Sequence, residues 1–444
     1  MYYHKLHILQ VEFYLNMGNI NIGGENMKEF RTVKKLKLTI VADTKEEREE
    51  KYKFIRDSQY AQYQGLNLAM GILVSGFLKG NRKLDSEAFK QAQKEMMAIR
   101  EQTFEDINFG KGITSSSLIT QKVKADFKIS LKNGLAKGER NITNYKRTFP
   151  LMIKGNADSC YDQGKRKPLD FYYDNDDIYI RWCNGIIFKV VLGTRINENT
   201  TELKHTLHKI IKGEYRVSQS SLQFDKNNNL IMNVNIRFKK ELNTDFIEGR
   251  TLGVDLGLKY PAYVCLSDNT YIRKGLGSAE EFLKTRQQMK KRRTTLQHQL
   301  KLVKGGKGRN KKLKALEQFQ NKERNFAKTY NHQLSCNIVK FAKENKCEFI
   351  NLEKLTKEGF DNNILSSWSY YELQNMIEYK AERENIKVRY INPAYTSQKC
   401  SKCGYIDKEN RKTQSEFNCL ECGLKLNADH NAAINIANST EYIK

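Results

Sequence analysis

The chain has 444 residues and carries 77 Lys+Arg against 51 Asp+Glu, a formal charge of +26. At about 150 residues per domain, that length accommodates roughly three domains. A composition 39% hydrophobic and 29% charged excludes a disordered chain. So large a basic excess points to a polyanionic partner, nucleic acid before an anionic membrane surface. The longest near-apolar stretch, residues 66–78, contains Asn67 and is too short to span a bilayer. Lys5 and Glu12 interrupt any secretory h-region. The expectation is a prokaryotic cytoplasmic protein with no membrane contact, in a reducing compartment where its nine cysteines form no disulfide framework. Gly23-Gly24-Glu25-Asn26-Met27 reads as the translation of a purine-rich ribosome-binding run, which would make Met27 the start and residues 1–26 a leader.

From Lys28 to about Val41 apolar residues alternate with lysines, predicting a strand with one wet face. Asp43-Thr44-Lys45-Glu46-Glu47 marks a helix start, and helical text covers 46–81, 86–102 and 115–131, broken by Gly76, Gly80, Gly110 and Gly112. Past residue 150 β-rich runs take over at 171–173, 178–182, 186–192, 215–224 and 230–238, suggesting a small barrel or sandwich. A polar link at 241–249 opens the last region. There, strands at 251–256, 263–267, 347–352 and 387–391 mix with helices at 279–302, 311–345, 369–385 and 428–438, the pattern of an α/β domain. Lys304-Gly305-Gly306-Lys307-Gly308 reads as a flexible link between two long charged helices.

Cys160, Cys183, Cys265, Cys336 and Cys347 are scattered and read as free buried thiols. Cys400-Ser401-Lys402-Cys403 and Cys419-Leu420-Glu421-Cys422 differ. Each pair sets two thiolates on one tight turn, and Gly404 and Gly423 follow. Two such knuckles make a closed tetrahedral site for one structural Zn²⁺, with no open position for catalysis.

Three acids stand out: Asp255 between glycines in Gly253-Val254-Asp255-Leu256-Gly257, Glu353 at the end of the apolar run 349–352, and Asp429 at a helix start. Alone, each has a plain explanation as a turn acid, a strand-end salt bridge or an N-cap. Together, three carboxylates from three elements of one α/β domain can hold two Mg²⁺ ions, which prefer oxygen ligands and can clamp a phosphodiester. His430 reads as a solvent-facing helix residue, with a helper's role as the alternative.

Gly253–Gly257, Asn351-Leu352-Glu353, Thr396-Ser397-Gln398-Lys399 leading into the first knuckle, and Asn427-Ala428-Asp429-His430-Asn431-Ala432-Ala433 follow one another in this order. The arrangement resembles the RuvC-like nuclease domain shared by TnpB transposon proteins and compact type V CRISPR effectors. Lys111-Gly112-Ile113, Gly134-Leu135-Ala136-Lys137-Gly138, Tyr145-Lys146 and Phe149-Pro150-Leu151 look like the helical recognition region of miniature type V-F effectors. Some of those members carry an N-terminal zinc finger; no cysteine precedes Cys160 here, so packing alone must hold a recognition lobe.

The resemblance implies an RNA-guided, Mg²⁺-dependent DNA endonuclease of antiviral defence. Its single RuvC site would hold the metals on Asp255, Glu353 and Asp429, with Arg411 near the scissile phosphate. It also implies a guide RNA, a target DNA with a T-rich motif beside it, and a homodimer around one guide. The expected fold is multidomain α+β: an N-terminal β-barrel wedge domain with an inserted helical recognition lobe, then an RNase H-like (RuvC) α/β nuclease domain with an inserted zinc ribbon. The corresponding boundaries are wedge 1–42 and 150–248, recognition lobe 43–149, nuclease 249–395 and 426–444, and ribbon 396–425. A TnpB-like transposon nuclease is the nearest alternative, and a guide-directed binder or repressor without cleavage is the alternative of another class.

Between Lys284 and Lys314 stand thirteen basic residues and no acid. The block includes Lys290, Lys291, Arg292 and Arg293, then Arg309, Lys311, Lys312 and Lys314. Solvated helices normally carry both signs, so a single-sign block points to phosphate contact. An A-form heteroduplex is held by its backbone and needs no base-reading motif there. Ser115-Ser116-Ser117 and Gln121, at the start of a predicted helix, are candidates for reading bases beside the target, with helix capping as the alternative for the serines.

Overall fold

The computed structural model describes residues 27–102, 116–135, 137–138, 144–193, 198–257, 260–354, 370–413 and 415–443. The suggested leader, the Lys111-Gly112-Ile113 motif, Ser115 and Ala136 lie outside the described residues. The chain divides into two compact units, the first ending at Lys240 and the second beginning at Glu241. No helix among the described residues is long and apolar enough to cross a membrane.

The first unit opens with β1 (Met27–Ile40), whose Leu36, Leu38 and Ile40 alternate inward among exposed lysines. Helix α1 (Lys45–Lys79) follows. It is started by the Thr44 hydroxyl accepting from the Glu47 amide at 3.1 Å and by Glu47 accepting from the Asp43 amide at 2.8 Å. Helices α2 (Glu87–Gln102) and α3 (Ser116–Ser130) pack on it through Phe77, Phe89 and Phe127, whose ring centroids lie 5.4–5.8 Å apart.

The remaining elements are β2 (Leu151–Ile153), α4 (Ser159–Asp162), β3 (Asp170–Asp174), β4 (Asp177–Arg181), β5 (Ile187–Val191), α5 (Glu198–Ile211), β6 (Arg216–Val217), β7 (Ser220–Phe224) and β8 (Leu230–Glu241). The sheet runs β2-β7-β8-β1-β5-β4-β3, with β6 also on β8. One buried cluster joins it to the helices. The buried Gln62 amide of α1 locks that union, donating to the Pro150 carbonyl at 2.9 Å and accepting from the Met152 amide at 2.6 Å.

Two sequence expectations change here. The run 215–224 is two strands, broken at Ser218. Helix α5 interrupts the β-rich region; its Leu207 and Ile210 are buried, but Asn199, Thr200 and Thr201 are poor helix formers and masked the pattern.

The second unit holds β9 (Ile247–Asp255), β10 (Ala262–Leu266), β11 (Arg273–Leu276), α6 (Ala279–Lys301), α7 (Gly306–Glu344), β12 (Cys347–Glu353), α8 (Tyr370–Arg383), β13 (Lys387–Ile391), β14 (Glu416–Asn418), β15 (Lys425–Asn427) and α9 (Ala428–Ala437). Its main sheet is ordered β11-β10-β9-β12-β13. The β9–β10 and β10–β11 pairs are antiparallel, and β12 lies parallel to both β9 and β13. Strand β9 is buried on both faces over residues 251–254. Leu252 and Val254 join Leu334, Ile338, Leu373 and Ile377 of α7 and α8, whereas Gly253 meets α9.

Strand β9 therefore begins inside the segment expected to be a polar link, and β11 was not expected. The glycine run 304–308 is no flexible link either, since α7 starts at Gly306. Of the five scattered cysteines, Cys336 is exposed rather than buried.

Candidate functional site

Strand alternation puts Gly253 and Asp255 on the α9 side of the sheet. Asn351 pairs with Gly253, and Leu352 with Val254, so Glu353 comes beside Asp255 on the same face. A Cβ at Gly253 would lie 2.2 Å from the Ala433 carbonyl oxygen and 2.4 Å from the Ala437 amide nitrogen, so only glycine lets α9 settle onto β9. Ala432, Ala433 and Ala437 complete that close approach, and the Asn351 amide donates to the Ile436 carbonyl at 2.9 Å. Seated this way, α9 delivers Asp429 from its first turn. Asn427 caps the helix, accepting from the His430 amide at 3.1 Å, so Asp429 is not the cap. Gly253→Val is expected to cost about 3 kcal/mol or more by overpacking, seen as a Tm drop of at least about 6 °C. An unchanged melt would mean that α9 does not seat there.

The three acids converge. A Cβ placed on Gly257 would lie 3.8 Å from Asp255 Oδ2 and 3.9 Å from Asp429 Oδ1, so this glycine leaves room directly between two carboxylates. Asp429 and Glu353 are buried, and Asp255 keeps a partly accessible edge. Burial, then Glu353 and Asp429, push the Asp255 carboxyl well above the usual carboxylate range, and Arg411 offsets part of this. Burial also raises Glu353, against the Thr396 hydroxyl, which donates to Glu353 Oε1 at 2.5 Å, and against Arg411. Gln374 donates to the Glu353 carbonyl at 2.6 Å. Arg411 Nη2 stands 3.5 Å from Asp429 Oδ1, so the arginine picked out between the cysteine pairs does reach the acids.

The four thiols cluster as well, with Sγ atoms all within 4.8 Å of one another, the spacing of a metal site. The two knuckles repeat each other. Gly404 and Gly423 turn at φ +79° and +68°, their amides donating to the carbonyls of Cys400 and Cys419 at 2.9 and 3.0 Å. Although burial raises it, the Cys419 thiol is brought down to about 7 by the amides of Cys422 and Glu421 and by neighbouring thiols. Cys403 is pushed up to about 12 by burial and its three thiol neighbours, against the Tyr405 amide.

Three asparagines tie the knuckles to the acids. Buried Asn410 donates to the Gln398 carbonyl at 3.0 Å and accepts from the Leu420 amide at 2.9 Å, bridging both knuckles one residue before Arg411. Asn431 accepts from the Ser401 amide at 3.0 Å, and Asn435 donates to the Lys399 carbonyl at 2.7 Å, one helical turn apart on α9. Sequence reasoning gave none of these a role, nor Thr396 and Gln374. The signal was present in Asn431 and Asn435 at helical spacing.

His430 is not solvent-facing. It is buried, with Nδ1 2.6 Å from an Arg273 guanidinium nitrogen and Nε2 3.1 Å from the Thr270 carbonyl. Burial and Arg273 lower its pKa, so the neutral ring accepts from Arg273 and donates to Thr270.

The basic block occupies the α6–α7 pair. Lys290, Lys291, Arg292, Lys311 and Lys314 are exposed. The other three serve the pair itself. Arg293 meets buried Glu323 at 3.1 Å, Arg309 donates to the Val303 carbonyl at 2.8 Å, and Lys312 to the Gln299 carbonyl at 3.3 Å. Ser117 and Gln121 lie on α3, Gln121 exposed and the Ser117 carbonyl accepting from Thr120 at 3.1 Å.

A family profile described as Cas12f1-like, TNB domain, matches residues 370–436, the segment from α8 through both knuckles into α9. The CRISPR-associated endodeoxyribonuclease Cas12f1 of Sulfoacidibacillus thermotolerans is 39% identical over 241 residues, 53% of this chain and 56% of that protein. A TnpB-like protein of Methanocaldococcus jannaschii is 30% identical over 134 residues, 28% of this chain and 47% of its own length. The chain is related to the compact type V-F effectors and to TnpB. It spans about half the length of these curated relatives. In fold it is similar to the Cas12f1 chain of a complex with sgRNA and target DNA, at a TM-score of 0.71 and 17% identity, covering 92% of this chain and 99% of that one. The architecture is therefore the mixed α+β multidomain type of those effectors.

Proposed function

We propose that this chain is an RNA-guided DNA endonuclease of the compact type V-F kind, cutting through one RuvC-like site in the prokaryotic cytoplasm. The observation that carries the reading is the convergence of Asp255, Glu353 and Asp429 beside Arg411 at one end of the second unit's sheet. The names of the relatives support it: one is an endodeoxyribonuclease, and the structural neighbour holds sgRNA and target DNA.

An all-oxygen donor set, mutual repulsion that a cation would relieve, and the room left at Gly257 fit hard divalent ions. Asp255, Glu353 and Asp429 would hold Mg²⁺, which when bound activates water and offsets charge on a phosphodiester. Thr396 fixes the Glu353 carboxylate for that task. Arg411 offers planar donors to the phosphate being cut. Four soft thiolates suit one Zn²⁺ in a closed, structural site.

We assign residues 27–42 and 150–240 to a barrel-type wedge, 43–149 to a recognition lobe bearing Ser117 and Gln121, 241–395 with 426–444 to the RuvC-like nuclease, and 396–425 to the ribbon. The wedge boundary moves from 248 back to 240 because Glu241 opens the second unit and Ile247 and Glu248 already belong to β9. Lys290, Lys291, Arg292, Lys311 and Lys314 would hold the guide–target duplex by its phosphates, and two copies would share one guide.

The test is to purify the chain with its RNA, sequence that RNA, and supply a plasmid matched to its variable part. The expected result is one abundant species with a constant scaffold, and cutting of the matched plasmid in Mg²⁺ but not in EDTA. Cutting indifferent to the match, or no bound RNA, would overturn the proposal. The match to a TnpB-like protein favours a second reading, a transposon-associated guided nuclease; an RNA derived from a transposon end would select it.

A further inference from the structure

A depression of about 420 Å³ is lined by Tyr263, Arg273, Lys425, Leu426, Asn427 and His430. Two of these six residues are cationic and none is acidic. Arg273 spends one guanidinium nitrogen on His430, and Lys425 is exposed. Neither makes an ion pair with a carboxylate among the described residues. Tyr263 adds a hydroxyl, a neutral hydrogen-bonding group, to this lining. Two of the lining residues are direct neighbours of the acids. Tyr263 is the cross-strand partner of Asp255, which places their side chains next to each other on one face. His430 directly follows Asp429.

We infer that this depression seats a backbone phosphate of the DNA strand lying in the acid site, held by Arg273 and Lys425 with the Tyr263 hydroxyl as a further donor. A phosphate is the small polyanionic group that a carboxylate-free, cation-lined pocket of this size admits, and it repeats along the same strand as the scissile one. His430 is then a positioning residue. Its Nδ1 stands 2.6 Å from a guanidinium nitrogen and fixes where the other edge of Arg273 points. The site gives the strand a second anchor and a direction across the acids. This assignment rests on the nuclease reading above, so its test does not use cleavage.

The full chain carrying its guide RNA is titrated in EDTA with a fluorescein-labelled single-stranded DNA oligonucleotide across a range of salt, alongside an RNA oligonucleotide of the same sequence. Arg273→Gln combined with Lys425→Gln is expected to weaken DNA binding about tenfold and to flatten the log–log salt slope by about 1.4, for two phosphate-directed charges on a single strand. Lys425→Gln alone, at an exposed position outside any ion pair, should fold normally and give half that slope change. Lys425→Arg should bind as the parent does. An unchanged slope in variants with an unchanged Tm overturns the site, and a loss confined to the RNA arm overturns its assignment to DNA. Parent protein that cuts guided plasmid while the slope stays fixed leaves the nuclease reading standing without this pocket. A changed slope in protein that never cuts does the reverse.

Discussion

Alanine in place of Asp255 is expected to lower guided DNA cleavage by roughly 10³-fold or more, the scale of losing several kcal/mol of charge stabilisation, with guide-RNA binding held. The reason lies in the cluster. Asp255 is the carboxylate whose charged form is most opposed, by burial first and then by Glu353 and Asp429. A cation among the three would relieve that repulsion. The pH dependence follows with a definite sign. A carboxyl whose folded pKa lies above its unfolded value stabilises the fold below the unfolded pKa, about 3.9 for Asp, and that contribution is lost as pH rises through the raised value. Metal-free protein should therefore be less stable at neutral pH than in mild acid. Asp255→Asn should raise its Tm in EDTA by about 2–4 °C for each kcal/mol of repulsion removed, and Mg²⁺ should raise the parent's Tm more than the variant's. Full cleavage by Asp255→Ala would remove the acid cluster from the mechanism. A lower Tm for Asp255→Asn in EDTA would remove the repulsion argument.

The second large effect is expected from Cys419→Ser. The ribbon's buried cluster is Cys400, Phe417, Cys419 and Ala428, with Cys422 and Leu424 packed against it, so half of it consists of the thiols themselves. So small a core does not fold alone, and structural zinc supplies about 10–16 kcal/mol in comparable small modules. Losing one thiolate should take bound zinc from about one per chain to nearly none, read with a colorimetric chelator after thiol release. Asn410 then loses the backbone partners that span both knuckles, and Arg411, the next residue, leaves Asp429. Cleavage should fall by about 10²-fold or more while far-UV helicity is kept, since α6, α7 and α8 make no use of the ribbon's thiols. Normal zinc content, or normal cleavage without zinc, would refute the coupling.

What the sequence made legible follows from how local each signal is. The knuckles repeat a short pattern with glycine at each turn, and Asp255 and Glu353 close strands whose apolar text is unmistakable while Asp429 opens a helix, so both patterns are legible in the sequence. His430 was misread because helix position alone does not say which face is covered. Only the pairing of β10 with β11 brings Arg273 and Thr270 onto the imidazole. The role of Gly253 was hidden for the same reason, since a glycine in a strand does not announce the helix that lies on it. The basic block read as one surface, yet Arg293, Arg309 and Lys312 bond to groups of the α6–α7 hairpin itself, a division of labour that composition does not encode. Helix α5 was lost because its apolar residues are spaced among Asn and Thr, and tertiary burial of Leu207 and Ile210 overrides that weak propensity.

The seating of α9 on Gly253 has a consequence for the order of synthesis. Asp255 and Glu353 are translated, and can pair their strands, long before the ribosome reaches Asp429. Until α9 emerges there are two acids without the third, knuckles without Asn431 and Asn435 to moor them, and an arginine without Asp429 to meet. A nascent or truncated chain can already present its basic helices, but it cannot bring the three acids together. Closing the acid cluster is thus the last step of the growing polypeptide, after its basic surfaces have formed.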